Sequence, residues 1–391
     1  MFGTLFFILG AVVLGWLAFG AFFQLTGAIA GLFYKNTEFA RPVFFPKMRV
    51  FIPAFREDAV LVSTVKAAQN ADYPTEKLEI VVIADQLKPA TIDQVRQLGA
   101  RVVEAQLSKS TKANSLNFAL DCLKNEPADI AVVLDADNAP APDFFEKIAA
   151  RWAHGAQAIQ GRRAAKNLGA PLALLDAASE DANNHILCRG ARAMGFSARL
   201  AGSGMAFDHA VFAAVMPKVE AIGGFDKALE GHLTRAGILI EYDENAVVFD
   251  EKVSKTAHFS RQRSRWIAAQ FRFLGHFWQS AMVGLVRHGN LDFFQKTLQM
   301  ALPPRLLAPA FLGFGTAASW FFECPVTGFW AAAFLANLLA FALALPRYFF
   351  QKNARASWLF LPKTVFAALA ALTKLPEASR VFLVTPKTIS A

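Results

Sequence analysis

The stretch Ala131-Val132-Val133-Leu134-Asp135-Ala136-Asp137-Asn138 is an apolar run that ends in two carboxylates one residue apart. A continuous aliphatic run of this length is typical of a buried strand. Because side chains alternate between the faces of a strand, Asp135 and Asp137 are expected on the same side of its open end. Two hard oxygen ligands suit Mg²⁺ or Mn²⁺, and a cation held there suits a diphosphate. Acidic pairs also occur at strand ends by chance or as caps, so the neighbouring segments decide between these interpretations.

The region around this stretch, from Met48 to about residue 258, has the texture of a soluble α/β domain. Its β-rich runs are Arg49–Pro53, Glu79–Ala84, Arg101–Glu104, Ile130–Leu134 and Ala156–Gln160, and they alternate with helix-like segments such as Asp58–Gln69 and Ala113–Lys124. This alternation predicts βαβ units and a mostly parallel sheet covered on both faces. Ligands of such sheets bind beyond the carboxyl ends of the strands, where Pro53, Asp85 and Asp135 fall.

The composition excludes a purely soluble enzyme and a simple bundle of spanning helices. Of 391 residues, 54% are hydrophobic and 18% are charged, and 38 are Phe. The net charge of +9 fits anionic lipid or a nucleotide substrate; no nucleic acid is expected, because the soluble region has no clustered basic stripe. The cysteines, Cys122, Cys188 and Cys324, lack metal-ligand spacing and indicate a reducing compartment.

The two ends of the chain are apolar. Residues 1–34 carry no charged side chain, which predicts an N-terminal transmembrane anchor rather than a cleaved signal peptide, since a basic leader is missing. Basic residues from Lys35 to Arg49 then place the following domain in the cytoplasm. We therefore predict an integral protein of the cell inner membrane with a cytoplasmic catalytic domain.

The C-terminal third predicts three further membrane-related segments. Residues 271–300 mix aromatic and basic side chains, as an interfacial amphipathic segment does. Residues 306–345 form two apolar runs around Glu323-Cys324-Pro325 and predict a transmembrane hairpin. Residues 356–391 contain Lys363 in an apolar run, and a mid-bilayer Lys costs about 2.5–3.5 kcal/mol, so an interfacial or re-entrant segment with a cytoplasmic tail is expected.

An ordered set of short motifs covers most of residues 48–391. The motifs are Val50-Phe51-Ile52-Pro53-Ala54-Phe55-Arg56-Glu57, Tyr73-Pro74, Lys112-Ala113-Asn114-Ser115-Leu116-Asn117, Asp135-Ala136-Asp137, Gly202-Ser203-Gly204-Met205-Ala206-Phe207, Gly223-Gly224-Phe225-Asp226, Gln262-Arg263-Ser264-Arg265-Trp266 and Thr385-Pro386-Lys387. In this order they resemble the membrane-bound family 2 glycosyltransferases, such as the cellulose, chitin and hyaluronan synthases and ceramide glucosyltransferase. Gln-x-x-Arg-Trp at 262–266 is the most telling of them.

The resemblance implies an α/β fold with a cytoplasmic GT-A-type nucleotide-sugar domain at residues 48–270. It implies inverting transfer from a nucleotide-diphosphate sugar, with a UDP-sugar as the default, to a growing polysaccharide. Transfer of a single sugar to a lipid acceptor is the alternative, because a polymer channel needs more wall than three spans readily provide. The expected partners are the donor, one of these acceptors and the lipid bilayer.

The resemblance also assigns roles to individual residues. Mg²⁺ or Mn²⁺ is expected on Asp135 and Asp137. The residues expected to bind the nucleotide-sugar are Pro53, Phe55, Glu57, Asp85, Lys112 and Asp135. Those expected to close the site and face the acceptor are Gly202, Ser203, Gly204, Gln262, Arg265 and Trp266. Lys112 as a solvated helix start and Trp266 as a membrane-interface anchor are the structural alternatives.

The catalytic base is the place where the chain departs from the family pattern. The family usually has Glu-Asp here, and this chain has Glu230-Gly231, so glycine stands where the base is expected. Glu230 is the first candidate to take over, and Asp226 or His232 reaching into the site are the alternatives. A catalytically impaired enzyme, or a non-enzymatic relative that binds nucleotide, is the third possibility, since lost base catalysis costs ~10²–10⁴-fold. Four further histidines, His154, His185, His258 and His276, have no metal-ligand spacing and are expected to be structural.

Overall fold

The computed structural model describes residues 2–252, 256–351 and 355–378. It confirms the predicted α/β alternation. The strands are β1 Met48–Phe55, β2 Leu78–Asp85, β3 Arg101–Glu104, β4 Ile130–Val133, β5 Ala139–Pro140, β6 Ala158–Ala165, β7 Met205–Asp208 and β8 Ile240–Asp250.

Helices surround this sheet and make up the two ends of the chain. They are α1 Phe2–Leu32, α2 Asp58–Gln69, α3 Pro89–Gln97, α4 Lys112–Cys122, α5 Phe144–Ala153, α6 Pro171–Asn183, α7 Gly190–Ala193, α8 His209–Val215, α9 Phe225–Arg235, α10 Thr256–His288, α11 Leu291–Gln299, α12 Ala308–Phe321, α13 Thr327–Ala344, α14 Arg355–Leu359, α15 Leu361–Thr373 and α16 Leu375–Ala378. A π-helical segment, Asn184–Arg189, joins α6 to α7, and short 3₁₀ turns lie at Thr75–Lys77, Met216–Lys218 and Arg347–Phe350.

The strands form one mixed sheet in the order β3-β2-β1-β4-β7-β6-β8-β5. The first four are mutually parallel, β7 is antiparallel to both β4 and β6, and β8 runs parallel to β6. The chain direction therefore reverses beside β4, the strand that leads to the carboxylate pair. Such a switch point leaves a crevice beyond the strand ends.

The core lies on both faces of this sheet, as the continuous apolar runs predict. Along β1, Phe51 faces the cluster that includes α4, α9 and α10, while Val50 and Ile52 face the cluster that includes α2 and α5. All three side chains are fully buried. The sheet is thus held between two helical layers, and its polar residues are left at the strand ends.

The N-terminal helix α1 packs against the rest of the chain. Its Trp16 Nε1 donates a hydrogen bond to Ala301 O at 2.7 Å, and its Ala28 O lies 2.9 Å from Nε2 of His185 in the π-helical segment. Leu17 and Ala21 share an apolar cluster with residues of α12 and α13. The predicted anchor is therefore part of the folded unit.

Two helices of the described residues are long and apolar enough to cross a membrane, Ile8–Leu32 and Thr327–Ala344. The second is one arm of the predicted hairpin. The other arm, α12, has 14 residues, fewer than the ~20 that a bilayer span needs. The predicted interfacial segment at 271–300 is the end of α10 followed by α11, and the tail motif at 385–387 lies outside the described residues.

Candidate active site

The predicted nucleotide-binding residues lie at the ends of β1 and β2. Phe55 pairs with Asp85 in the sheet register, and Pro53 lies two residues earlier on β1. Asp85 is 1% exposed, and its Oδ2 has no hydrogen-bond partner among the residues that the structure describes. Glu57 occupies the N-cap position of α2, on the same side. A buried carboxylate oxygen without a donor is costly unless a ligand N–H or hydroxyl satisfies it.

Arg56 and Gln86 cover part of this region, which the sequence did not predict. Both have positive φ, 55° and 57°. Arg56 Nε donates to Gln86 Oε1 at 2.8 Å, and the guanidinium carbon lies 5.0 Å from the centroid of the Phe55 ring. The Arg56 guanidinium therefore lies beside the Phe55 ring, on which the nucleotide base is predicted to stack.

Lys112 connects three parts of the cleft. It forms an ion pair with Asp135 Oδ1, donates to Gly202 O at 2.8 Å, and places its ammonium 4.9 Å from the centroid of the Phe225 ring. Its helix, α4, begins there because Thr111 caps the N-terminus by accepting from Asn114 N at 3.2 Å. Lys112 is therefore an internal contact of the cleft, and the solvated-helix alternative is wrong.

The loop at 202–204 is fixed against the carboxylate pair. Ser203 is fully buried; its Oγ accepts from Asp135 N at 2.8 Å and donates to Asn138 Oδ1. Gly202 has φ 88°, a conformation that favours glycine, and Gly204 O accepts from Gly161 N at 2.8 Å. The predicted acceptor-side loop and the predicted metal position are thus in direct contact.

Asp135 and Asp137 offer two hard oxygen donors for a cation. Asp137 is 8% exposed and accepts from Asn138 Nδ2 at 3.1 Å, and its backbone oxygen accepts from Lys166 Nζ. Within residues 2–252, 256–351 and 355–378, no group of three or more His, Cys, Asp or Glu could hold a metal ion. Two carboxylates fit Mg²⁺ or Mn²⁺ when phosphate oxygens and water complete the coordination.

The Gln-x-x-Arg-Trp motif lies on α10 and reaches the same cleft through Arg265. Burial lowers the pKa of Arg265 to about 10, and the negative charge of nearby Asp135 opposes this shift. Gln262 Oε1 is buried and has no hydrogen-bond partner within the described part of the chain. The Arg263 guanidinium lies over the Trp266 ring, 4.5 Å from its centroid, so it already covers one face of the indole.

The two predicted catalytic carboxylates have different surroundings. Asp226 lies in the first turn of α9, is only half-buried, and its Cβ would lie 4.0 Å from a Cβ added to Gly202. Glu230, one turn later, is 4% exposed. Its Oε2 accepts from Leu200 N at 2.7 Å, and its Oε1 lies 3.9 Å from Lys296 Nζ. Asp226 therefore borders the cleft, whereas Glu230 lies in the interior and holds the chain that leads into the 202–204 loop.

Position 231 does not face the cleft, which corrects the expected location of the base. A Cβ built on Gly231 would overlap the ring of Phe277, which is fully buried in the apolar core. An aspartate at this position would have its carboxylate among core aromatic rings. His232 also packs there, with its ring centroid 5.3 Å from that of Phe277. Position 231 therefore lies in the core and not at the cleft.

Arg163 is a site residue that sequence reasoning missed. Burial alone would lower its pKa, but the negative charges of Asp250, Glu180, Asp135 and Asp137 together raise it. Its Nη1 donates to Ala201 O at 2.7 Å, and Nη2 pairs with Asp250. The pair of arginines at 162–163 could have indicated this role. It was missed because the strand was predicted to end at Gln160, whereas β6 continues to Ala165.

Comparison with known proteins adds independent findings. Residues 46–269 match the family model described as glycosyltransferase like family 2. The chain is 26% identical over 260 residues to the probable glycosyltransferase YdaM of Bacillus subtilis (strain 168), which covers 60% of this chain and 58% of that protein. It is 31% identical over 103 residues to the putative cellulose synthase 2 of Komagataeibacter xylinus, which covers 26% of this chain and 7% of that protein. The chain thus spans little more than half of the first relative and a small part of the second.

The fold is similar to that of a solved mannosyltransferase, PcManGT from Pyrobaculum calidifontis, in complex with GDP-Man and Mn²⁺. The TM-score is 0.57 at 17% sequence identity, and the match covers 94% of this chain and 98% of that chain. At this identity the likeness shows the fold alone, and it confirms the predicted GT-A fold class.

Proposed function

The chain belongs to the family described as glycosyltransferase like family 2, and from that premise we propose that it transfers a sugar, with inversion, from a nucleotide-diphosphate sugar to an acceptor hydroxyl. The observation that carries this proposal is the position of Lys112, which contacts Asp135 on the donor side and Gly202 on the acceptor side. Donor phosphates and acceptor would therefore meet at one point of the cleft.

The donor would lie across the ends of β1, β2 and β4. Phe55 offers a ring to the base, and the unsatisfied Oδ2 of Asp85 would accept from a ring N–H or a ribose hydroxyl. Pro53 and Glu57 border the same edge. UDP-sugars are the first donors to test, and GDP-sugars are the second, because the structurally similar mannosyltransferase was solved with GDP-Man.

Asp135 and Asp137 would hold Mg²⁺ or Mn²⁺ against the diphosphate. The cation, when bound, neutralises the charge that develops on the leaving nucleoside diphosphate. Lys112 and Arg265 add positive charge on the same side, as an ammonium and a guanidinium that are already in place before the reaction. Gln262 and Trp266, which belong to the same helix as Arg265, would close the site.

We assign the base to Asp226. Its carboxylate lies at the start of α9 beside Gly202, within the cleft, where an acceptor hydroxyl can reach it. Glu230 would act as a positioning residue, because its carboxylate is occupied by Leu200 N in the interior. Ser203 and Gly204 would keep the acceptor loop in register with Asp135.

The acceptor and the membrane remain part of the proposal. The cellulose synthase similarity favours a growing polysaccharide, whereas the small number of candidate spans favours a lipid acceptor. Two helices with the length and composition of spans support an integral membrane protein with its catalytic domain in the cytoplasm. The bilayer would then border α1 and α13.

Thermal protection and transfer together test this function. The full-length protein is incubated with UDP- and GDP-sugars, with and without Mn²⁺ or Mg²⁺, and the melting temperature and sugar transfer are measured. We expect cation-dependent protection by one donor. Asp137→Asn should abolish that protection and lower transfer about 10²–10³-fold, whereas Asp121→Asn, at an exposed position of α4, should leave both unchanged. Equal transfer by Asp137→Asn and wild type would overturn the proposal.

A further inference from the structure

A group of charged side chains lies between the catalytic domain and the membrane-related helices, and we call it the basic cluster. Its cations are Arg163, Arg199, Lys252, Arg263 and Arg305, and its carboxylates are Asp176, Glu180 and Asp250. Five positive charges face three negative ones, an excess of two. The side chains of Arg163, Arg199, Lys252 and Arg263 are between 4% and 14% exposed, so solvent does little to screen this excess.

Each carboxylate of the basic cluster is already committed to a cation. Asp250 pairs with Arg163 and lies 2.9 Å from Lys252 Nζ. Asp176 Oδ1 lies 2.6 Å from Arg263 Nη2. Glu180 Oε1 lies 3.6 Å from Arg199 Nη1, and the surrounding cations lower its pKa to about 2 despite burial. None of these three carboxylates is left over for the remaining guanidinium.

Arg305 is that remaining guanidinium. Its Nη2 donates to the backbone oxygen and to Oγ of Ser179, the latter at 2.9 Å, and both are neutral acceptors. Within the described residues it has no ion-pair partner. Burial and the charges of Arg263 and Arg199 lower its pKa to about 9, so at neutral pH it stays protonated beside two other guanidinium groups.

The neighbouring charged groups do not cancel this excess. On one side Lys227 and Lys296 face Asp226 and Glu230, a balanced set in which Lys296 Nζ lies 3.9 Å from Glu230 Oε1. On the other side Arg162 pairs with Asp181 at 3.2 Å. Asp135 and Asp137 act on Arg163 from the cleft, but Lys112, Lys166 and Arg265 already lie beside them. The excess therefore belongs to the basic cluster itself.

We propose that the basic cluster binds the phosphate monoester of a lipid acceptor that also carries a free hydroxyl, with Arg199, Arg263 and Arg305 around the phosphate. This inference rests on the proposed sugar transfer and names the class of its acceptor. A phosphate monoester carries a charge of about −1.5 to −2 at pH 7, which matches the excess of two positive charges. A guanidinium group can also donate two parallel hydrogen bonds to two oxygens of one phosphate.

The position of Arg305 favours a lipid over a soluble phosphate. Arg305 precedes α12 by three residues, and its guanidinium carbon lies 6.0 Å from the centroid of Phe341, a residue of the candidate span α13. Apolar side chains farther along α12 are exposed, such as Phe311 at 44% and Phe314 at 74%. A phosphate at Arg305 would lie at headgroup level, with its chains along this apolar surface.

Arg163 links the basic cluster to the donor carboxylates. It pairs with Asp250 within the cluster, and it lies near enough to Asp135 and Asp137 for their charges to raise its pKa. It also holds Ala201, the residue before the acceptor loop. A lipid held by its phosphate here would present a second headgroup group, a free hydroxyl, on the acceptor side of the cleft. That hydroxyl would attack the anomeric carbon of the donor as the nucleoside diphosphate leaves, and its proton would pass to Asp226.

Calorimetry on the full-length protein in a neutral detergent tests this site. The probes are dioctanoyl phosphatidic acid, dioctanoyl phosphatidylcholine and inorganic phosphate. We expect wild type to bind the phosphatidic acid more tightly than either other probe, and Arg305→Gln to weaken that binding about tenfold to a hundredfold. Arg287→Gln, which removes an exposed arginine at the end of α10, should leave it unchanged.

Each other outcome has a defined meaning. If Arg305→Gln binds phosphatidic acid as tightly as wild type, or if phosphatidylcholine binds equally well, the basic cluster is not a phosphate site. If inorganic phosphate binds as tightly as phosphatidic acid, the ligand is not a lipid. Donor-dependent thermal protection is measured on the same samples, so that a failed donor test and a failed phosphate test can be told apart. If Arg305→Gln does not fold, Arg305→Lys decides, because it keeps the charge and loses the planar fork; we expect binding weakened about threefold to tenfold, and no change would overturn the site.

Discussion

The donor edge of the cleft and the basic cluster handle charge in opposite ways. The donor edge holds three carboxylates, Asp85, Asp135 and Asp137. Three cations, Lys112, Lys166 and Arg265, lie beside Asp135 and Asp137, whereas Oδ2 of Asp85 has no partner among the described residues. A divalent cation and a diphosphate would arrive there as a pair whose charges largely cancel. The basic cluster holds five cations against three carboxylates, and no metal is expected to join it.

The two regions therefore differ in how much their electrostatic free energy depends on a bound ligand. The donor edge can exist without its ligand at little net electrostatic cost, because its three carboxylates are balanced in number by three cations. An unbalanced interior raises the free energy of the ligand-free state and lowers it again when an anion binds. The comparison therefore predicts that donor-edge substitutions act on turnover, and that substitutions in the basic cluster act on stability and acceptor binding.

The largest of the following three effects is expected for Arg265→Gln at the donor edge. Arg265 is the guanidinium that faces Asp135, so its loss removes positive charge where the leaving diphosphate develops negative charge. We expect kcat to fall about 10²–10³-fold. Arg261→Gln, an exposed position one turn earlier on the same helix, should keep wild-type kcat. Equal kcat for both variants would place Arg265 outside the reaction.

A smaller effect is expected for Glu180→Gln in the basic cluster. Its pKa is lowered to about 2 in the folded protein, from an ordinary value near 4.5, by Lys252 and the arginines around it. A lowered folded-state pKa gives stability that is present above about pH 4.5 and is lost as the pH falls toward 2, here about 3 kcal/mol.

Unfolding measured between pH 7 and pH 2 checks this prediction. Wild type should lose that contribution over the acidic range, whereas Glu180→Gln should lack it at every pH. Phosphatidic acid should stabilise the variant more than wild type, because the excess of positive charge has grown to three. Parallel pH profiles for the two proteins would contradict the assignment.

The smallest effect is expected at Gly231, which tests the direction of α9. Gly→Ala inside a helix usually stabilises by about 0.5–1 kcal/mol. At Gly231 the added methyl group would overlap Phe277, so we expect destabilisation by about 1–3 kcal/mol. Gly275→Ala, in α10 with no heavy atom within 4 Å of the added Cβ, is the matched control and should stabilise. If both variants have a higher free energy of unfolding than wild type, position 231 is open and the prediction is wrong.

Local sequence patterns were enough to predict several helices and strands of the catalytic domain. Helix α2 and strand β3 have the predicted bounds, because each is delimited by its own turn residues and apolar spacing. The carboxylate pair also lies at its predicted edge, because the ends of parallel strands meet at one side of a sheet. These features depend on short-range sequence and on one topological rule.

Long-range packing decided what the sequence could not predict. Which residue of α9 faces the cleft depends on how the helix rotates against Phe277, and Gly231 gives no local signal of that rotation. Arg305 meets Ser179 from 126 residues away, so its role depends on tertiary structure. Strand β6 extends past Gln160 because it pairs with β8 through an irregularity at Gly161 and Arg162.

The most direct measurement compares kcat of Asp226→Asn with kcat of Glu230→Gln, using the donor that protects the wild-type protein. Asp226 borders the cleft and Glu230 holds Leu200 in the interior. We therefore expect Asp226→Asn to lower kcat about 10²–10⁴-fold with donor protection intact. Glu230→Gln should lower the melting temperature and keep most of the turnover. The reverse result, with kcat lost in Glu230→Gln and kept in Asp226→Asn, would contradict the proposed arrangement of the site.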